Sequence, residues 1–225
     1  MNLIASLVIA AIISVAPVQT ANAQAAGLVS SIINRMERNR RELRSLRAAI
    51  RMEKVNSQVG DTDRYTGTVV YQPSGRTASV RVDWRSPQQE TLAVHGGRYT
   101  LFRPRLNLAY QGNANSGRDR MSGILGFGLN TSRQQIASRF NAQYIGEERV
   151  NGVATSHILL EPRGGASYRY AEVWVDSSGM PVQTRIVERN YDQTTVTLSN
   201  VQRNAPVSES DFRLELGSGV RVVRS

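Results

Sequence analysis

The sequence contains no cysteine at all, which excludes disulfide staples, thiol nucleophiles, zinc ribbons and iron–sulfur clusters. It has only two histidines, His95 and His157, too few for most transition-metal sites. Aromatic residues make up 6% of the chain, and Lys54 is its one lysine. Beyond the N-terminal residues no apolar run is long enough to cross a membrane as a helix, which needs about 20 residues. Catalytic signatures are missing as well. There is no Gly-x-Ser-x-Gly elbow, no Walker loop and no His-Glu-x-x-His helix. The three glycines of Gly123-Ile124-Leu125-Gly126-Phe127-Gly128 have the wrong spacing for a dinucleotide fingerprint.

What is present is a basic, soluble composition. The 225 residues carry 28 Lys and Arg against 18 Asp and Glu, a net charge of +10 that is almost wholly arginine. Mean hydropathy is −0.35 and the isoelectric point is near 10.7. An excess of this kind suits nucleic acid, anionic lipid head groups or acidic partners, and composition alone does not choose among them.

The N-terminus supplies a compartment. Leu3 to Val15 form an apolar run, Pro17 follows, and Ala21-Asn22-Ala23 is a small-x-small site before Gln24. This pattern predicts a secretory signal peptide over residues 1–23, cleaved after Ala23. The expected product is a periplasmic domain over 24–225 that retains all of the net charge, since residues 1–23 carry no charged side chain. Nucleic acid is then not an expected partner.

Residues 28–53 read as one amphipathic helix, with apolar Leu28, Ile32, Met36, Leu43, Leu46 and Ile50 against an arginine-rich face. From Tyr65 the period changes to two. Tyr65, Gly67, Val69 and Tyr71, then Ala78, Val80, Val82 and Trp84, alternate with polar residues on either side of Pro73-Ser74-Gly75. Further strands are expected at Thr91–Val94, Tyr99–Phe102, Leu106–Tyr110, Asn141–Glu148, Ala154–Glu161, Ser167–Val175, Val182–Glu188 and Thr194–Val201, with Val220–Val223 near the end. A short helix is expected over Ser132–Phe140. The fold class is therefore mainly β within α+β: a strongly curved antiparallel half-barrel of about ten or eleven strands. An N-terminal helix and a mid-chain helical lid around the glycines of 121–129 would cover it.

The histidines are expected at the surface or rim. The acidic pairs Asp61/Asp63 and Glu147/Glu148 lie in or beside expected turns, where carboxylates serve local hydrogen bonds. An enzyme is not expected, and no cofactor or metal is called for.

The order of segments resembles a known family. A strand ends in Trp84-Arg85-Ser86-Pro87, and Leu92-Ala93-Val94-His95-Gly96-Gly97-Arg98-Tyr99-Thr100-Leu101-Phe102-Arg103-Pro104 follows. After a lid-like middle come Val196-Thr197-Leu198-Ser199-Asn200-Val201-Gln202-Arg203-Asn204 and Asp211-Phe212-Arg213-Leu214. Together these are similar to the LolA/LolB-type outer-membrane lipoprotein carriers, and to the soluble LolA type in particular, because no cysteine is available for a lipid anchor. The resemblance implies a monomeric periplasmic carrier without cofactor. Its hydrophobic cavity takes acyl chains of lipoproteins or lipids from an inner-membrane release complex to an outer-membrane acceptor. A lipid-sensing or protein-interaction domain on the same fold is the alternative.

The expected cavity residues are Val69, Tyr71, Val80, Val82, Trp84, Leu92, Val94, Leu101, Leu106 and Leu108, and the expected lid residues are Ile124, Leu125, Phe127 and Leu129. Members of that family place an Arg directly before the Pro that ends the second strand, as a lid latch. Here Ser86 precedes Pro87, so Arg85 can take that role only if a bulge turns its side chain.

Overall fold

The computed structural model describes residues 19–73, 78–114 and 129–224. Twelve strands form one open sheet whose spatial order is β12-β6-β5-β4-β3-β2-β1-β11-β10-β9-β8-β7. The strongly curved, mainly β half-barrel expected from the alternation is what is observed. An open sheet of so many twisted strands curls, and its inner face then needs cover.

The N-terminal helix α1 spans Gln19–Glu42, and strand β1 follows at Leu46–Val55. The single helix expected over 28–53 is therefore two elements. Leu46, Ala48, Ile50 and Met52 are buried while Arg47, Ala49, Arg51 and Glu53 are less so, the period of a strand rather than a helix. The coincidence of Leu43, Leu46 and Ile50 at helical spacing hid this alternation.

Strands β2 (Thr62–Gln72), β3 (Ser79–Ser86), β4 (Glu90–His95), β5 (Arg98–Arg103) and β6 (Leu108–Asn113) form one antiparallel meander. Strands β7 (Phe140–Val150), β8 (Val153–Pro162), β9 (Tyr168–Asp176), β10 (Pro181–Glu188) and β11 (Gln193–Arg203) form a second. β1 joins them, pairing with β2 on one side and β11 on the other. The last strand, β12 (Arg221–Arg224), pairs in parallel with β6, so one edge of the sheet departs from the antiparallel expectation. A crossover over the outer face carries the chain there, pinned by Phe212, which is 1% exposed, and by an Arg47–Asp211 ion pair of 2.7 Å.

Turn chemistry follows the sequence. Asn151 and Gly152 both have positive φ between β7 and β8, as do Gly96 and Gly97 between β4 and β5, which suits the right-handed twist of a hairpin. The short helix α2 covers Arg133–Arg139 and is opened by a capping box between Ser132 and Gln135.

Two apolar clusters occupy the inner face. Ile32, Ile33 and Met36 of α1, with Ile136 of α2, pack on Phe140, Ile158, Leu160, Val173 and Val175. The central cluster gathers Leu46, Ile50, Met52, Val69, Tyr71, Val82, Val196 and Leu198 with Leu43, Leu129 and Met180. α1 docks at very short range on the β9–β10 turn. A Cβ on Gly179 would lie 2.2 Å from the Arg35 carbonyl oxygen, and Gly179 has φ +85°. Both facts demand glycine. Gly179→Ala should lower stability by at least about 2 kcal/mol, measured as a fall in the chemical-denaturation midpoint; an unchanged midpoint would mean that α1 does not sit on this turn.

Candidate functional site

The candidate site is the inner face of the first meander. Cross-strand register places its side chains in three rows. One runs Leu46, Tyr71, Val80, Val94 and Tyr99. The next runs Ala48, Val69, Val82, Leu92, Leu101 and Tyr110. The third runs Ile50, Gly67, Trp84, Glu90, Arg103 and Leu108. Nine of the ten expected cavity residues therefore share one face: Val69, Tyr71, Val80, Val82, Trp84, Leu92, Val94, Leu101 and Leu108.

Leu106 does not join them. The strand expected at Leu106–Tyr110 starts at Leu108, because Pro104 opens a 3-10 turn, Pro104–Leu106. Asn107 then adopts φ 46°, and Leu106 is left 61% exposed.

Burial falls along the rows. Val69 and Val82 are 1% exposed in the central core, whereas Val80, Trp84, Leu101 and Tyr110 are only half-buried. The apolar surface still within reach of a ligand is thus toward β3–β6. Trp84 meets Tyr65 edge to face, with ring centroids 5.7 Å apart, and Arg103 pairs with Glu90 at 3.0 Å while lying over Tyr110. Such a surface offers dispersion and hydrophobic contact with one charged pair at its margin. It makes no demand for a directional hydrogen bond from the bulk of a ligand.

Of the expected lid residues, Leu129 is buried against this face. Ile124, Leu125 and Phe127 lie outside the described residues, as does the turn Ser74-Gly75. Arg85 sits where the β2–β3 register slips, since Thr66 pairs with Ser86 and Gly67 with Trp84. A bulge is therefore present, yet Arg85 is exposed and has no hydrogen-bond or ion-pair partner among the described residues.

The ties that hold the cover involve Asn130 and Glu37, which sequence reading missed, together with Tyr71. The Tyr71 hydroxyl donates to Asn130 Oδ1 at 3.1 Å, next to Leu129. Burial pushes the Tyr71 phenol up to about 12, so it stays a donor. On α1, Glu37 accepts from Arg40 at 2.8 Å, from Arg41, and from the backbone N–H of Arg133 at the start of α2. Hydrogen bonding from Arg40, then from the Arg133 N–H and Arg41, holds the Glu37 carboxyl at about 2 against the opposing effect of burial. Tyr71 was legible as an inward residue, but its hydroxyl partner depends on a long-range approach.

Neither histidine lies on this face. His95 is half-exposed, hydrogen-bonded to Ser79 Oγ at 3.0 Å and paired with Glu209 at 3.2 Å. His157 differs from the rim position expected for it, being 4% exposed on the outer face of β8. Its ring stacks on Trp174 at 4.1 Å, with Glu148 at 2.8 Å from Nδ1 and Glu172 at 3.3 Å from Nε2. Glu148 also accepts from Trp174 Nε1 and Glu172 from Arg185, so the cluster is a structural network. An outer-face groove of about 450 Å³ beneath the crossover is lined partly by Arg47 and Arg81. These pair with Asp211 and Asp83.

The family model of the MucB/RseB N-terminal domain matches residues 51–213. No curated protein matches the chain in sequence. Among solved structures the chain is similar to MucB, with 17% identity over 88% of this chain and 66% of that one, at a TM-score of 0.58. It is similar to the Pseudomonas aeruginosa MucA/MucB complex, with 16% identity over 87% and 63% and a TM-score of 0.52. The Mycobacterium tuberculosis lipoprotein LppX gives 20% identity over 81% and 98%, at 0.50. The chain thus spans slightly under two thirds of the MucB chains it matches.

The Glu37 contacts set a pH dependence. Its folded-state value lies below the ordinary 4.5, so its contribution is complete above 4.5 and is lost as pH falls toward about 2. Glu37→Ala should lower stability at neutral pH by on the order of 1–2 kcal/mol. It should also flatten the acid limb between pH 4.5 and about 2. Parallel acid limbs for the two proteins in pH-dependent urea unfolding would exclude this role.

Proposed function

Because the chain belongs to the MucB/RseB N-terminal domain family, we propose that it is a non-catalytic binding module of the bacterial envelope that holds the acyl chain of a lipid or lipoprotein on its inner face. The observation that carries this reading is the half-buried apolar surface of Val80, Trp84, Leu101 and Tyr110, continuous with the buried core. Each buried CH₂ is worth about 0.8 kcal/mol, so a chain of about 16 carbons gains on the order of 10 kcal/mol on leaving water. Only a recessed face can accept that much apolar surface and leave the complex soluble.

Export through the signal peptide of residues 1–23 would place a single domain, 24–225, in the periplasm as a monomer. Among the described residues no helix is long and apolar enough to cross a membrane.

Two uses of a bound acyl chain are open to such a module. As a carrier it would deliver cargo toward the outer membrane, taking it from a release complex and passing it to an acceptor. As a sensor it would bind a ligand and engage a protein partner. Family membership favours the sensing use, since solved structures of MucB include complexes with MucA. The catalytic alternative has less support, because Glu148, Glu172 and His157 are tied to one another away from the apolar face.

Leu101 lies in the middle row between Leu92 and Tyr110 and is half-buried. Protein purified from the periplasm without detergent should show, in native mass spectrometry, lipid or acyl-peptide mass that is lost on activation. Leu101→Glu should retain at least about tenfold less of it, at an unchanged unfolding midpoint. Equal retention by a folded L101E protein would remove the inner face as the binding surface. Clean apo mass for both, with capture of a partner's periplasmic segment, would favour a protein-interaction module instead.

A further inference from the structure

The groove of about 450 Å³ beneath the crossover has a chemistry unlike that of the inner face. Register lays its floor and walls out in two outward-facing rows. One runs Gln202, Arg47, Val70 and Arg81, the other Ser199, Ala49, Thr68 and Asp83. Shorter side chains on β1 and β2 thus stand between longer ones, and the difference in length makes the hollow. Asp211 of the crossover closes one wall.

A break in strand pairing adds a further group. Arg47 pairs with Gln202 but Ala49 with Ser199, so Asn200 and Val201 together oppose Ala48. A bulge of this kind re-aims side chains. Val201 packs on the central core, whereas Asn200 adopts φ 52° and lines the groove beside Gln202. Strict alternation after Ser199 would have turned Asn200 to the inner face. The bulge is what puts both amides on one site.

The charged groups of the groove are matched to one another. Arg47 pairs with Asp211 at 2.7 Å and Arg81 with Asp83 at 2.9 Å, so neither sign is in excess. Arg47 also donates to the Pro206 carbonyl, and the Thr91 hydroxyl donates to Asp83, which fixes both pairs in place. The neutral groups are in the opposite condition. The Thr68 hydroxyl and the Asn200 and Gln202 amides have no partner among the described residues. Asp83 Oδ2 accepts from Arg81 Nε and has a lone pair left for a second donor.

These groups define what fits. Balanced charge gives no net attraction to a phosphate or a carboxylate. An extended peptide would need free backbone groups, and β3, β2, β1 and β11 are each paired on both sides. What suits the groove is a small neutral ligand that both donates and accepts, with an apolar side to lie on Ala49 and Val70. A sugar ring has this pattern, with hydroxyls around its edge and C–H groups on its face. The volume lies within the usual range of small-ligand sites. We propose that this groove binds a neutral saccharide, with Asn200, Gln202 and Thr68 bonding its hydroxyls and Asp83 accepting from one of them. The proposal stands independently of the acyl-binding reading, because the site lies on the opposite face of the sheet.

The test is an NMR titration of the isotope-labelled chain with maltose, cellobiose and N,N′-diacetylchitobiose, and with glucose 6-phosphate as the charged comparison. At millimolar concentration a neutral disaccharide should shift the side-chain amide signals of Asn200 and Gln202. Asn200→Gly keeps the left-handed backbone while removing the amide, and the double variant N200G/Q202A should bind about tenfold more weakly. Thr68→Val keeps the strand and removes the hydroxyl, so T68V should also bind more weakly and serves if the double variant misfolds. L101E, altered on the inner face, should bind saccharide as the wild type does. Absence of shifts with all three disaccharides would overturn the proposal. So would undiminished binding by folded N200G/Q202A, or a response to glucose 6-phosphate alone, which would make the groove an anion site.

Discussion

Pairing of β1 with β11 is the contact on which the rest of the architecture depends. Each meander is built from near neighbours in sequence, whereas Ile50–Leu198 and Met52–Val196 bring residues nearly 150 positions apart into one ladder. The gain comes from alternation. Leu46, Ala48, Ile50 and Met52 bury their side chains on the same face as Val69, Tyr71, Val196 and Leu198. Without that seam there would be two smaller open sheets, and the inner face would have no continuous floor. Long-range pairing of this kind carries a loop-closure cost that only a well-buried row offsets.

Once the sheet is continuous, its twist makes the two faces unequal. The inner face over β7–β9 is closed by α1 and α2, and a close approach of the α1 backbone to Gly179 sets how deeply α1 sits. Over β3–β6 the same face is only half-closed by the described residues. That difference separates a core from a binding surface, although the residue types are alike in the two halves. On the outer face, polar networks around His157 and around Arg47 stitch strands and crossover together. Glu37 performs a similar task between the helices, joining the last turns of α1 to the Arg133 N–H at the start of α2.

Much of this was readable from the residues. Period-two alternation marked β2 to β5 and β7 to β11 closely, and the helix expected over Ser132–Phe140 is α2. Asn151-Gly152 and Gly96-Gly97 marked hairpins because φ > 0 is easiest for those residues. Nine of the inner-face residues followed from the same alternation. Failures arose where two periods fitted the same letters, as at Leu43, Leu46 and Ile50, or where a local backbone choice overrode the pattern. Pro104 did so for Leu106, turning it from an expected cavity side chain into an exposed tip.

The sequence by itself determined the mainly β class, the positions of most strands and turns, and which side chains within a strand share a face. Those are consequences of short-range stereochemistry and of the two-residue repeat of a pleated strand. Only the tertiary structure decided that β1 bridges two meanders, that β12 joins the β6 edge in parallel and that His157 is buried between Glu148 and Glu172. It also decided that Leu106, inward by alternation, is left exposed on the turn before β6. Register and closure are collective properties of the whole sheet, and no local window of residues contains them.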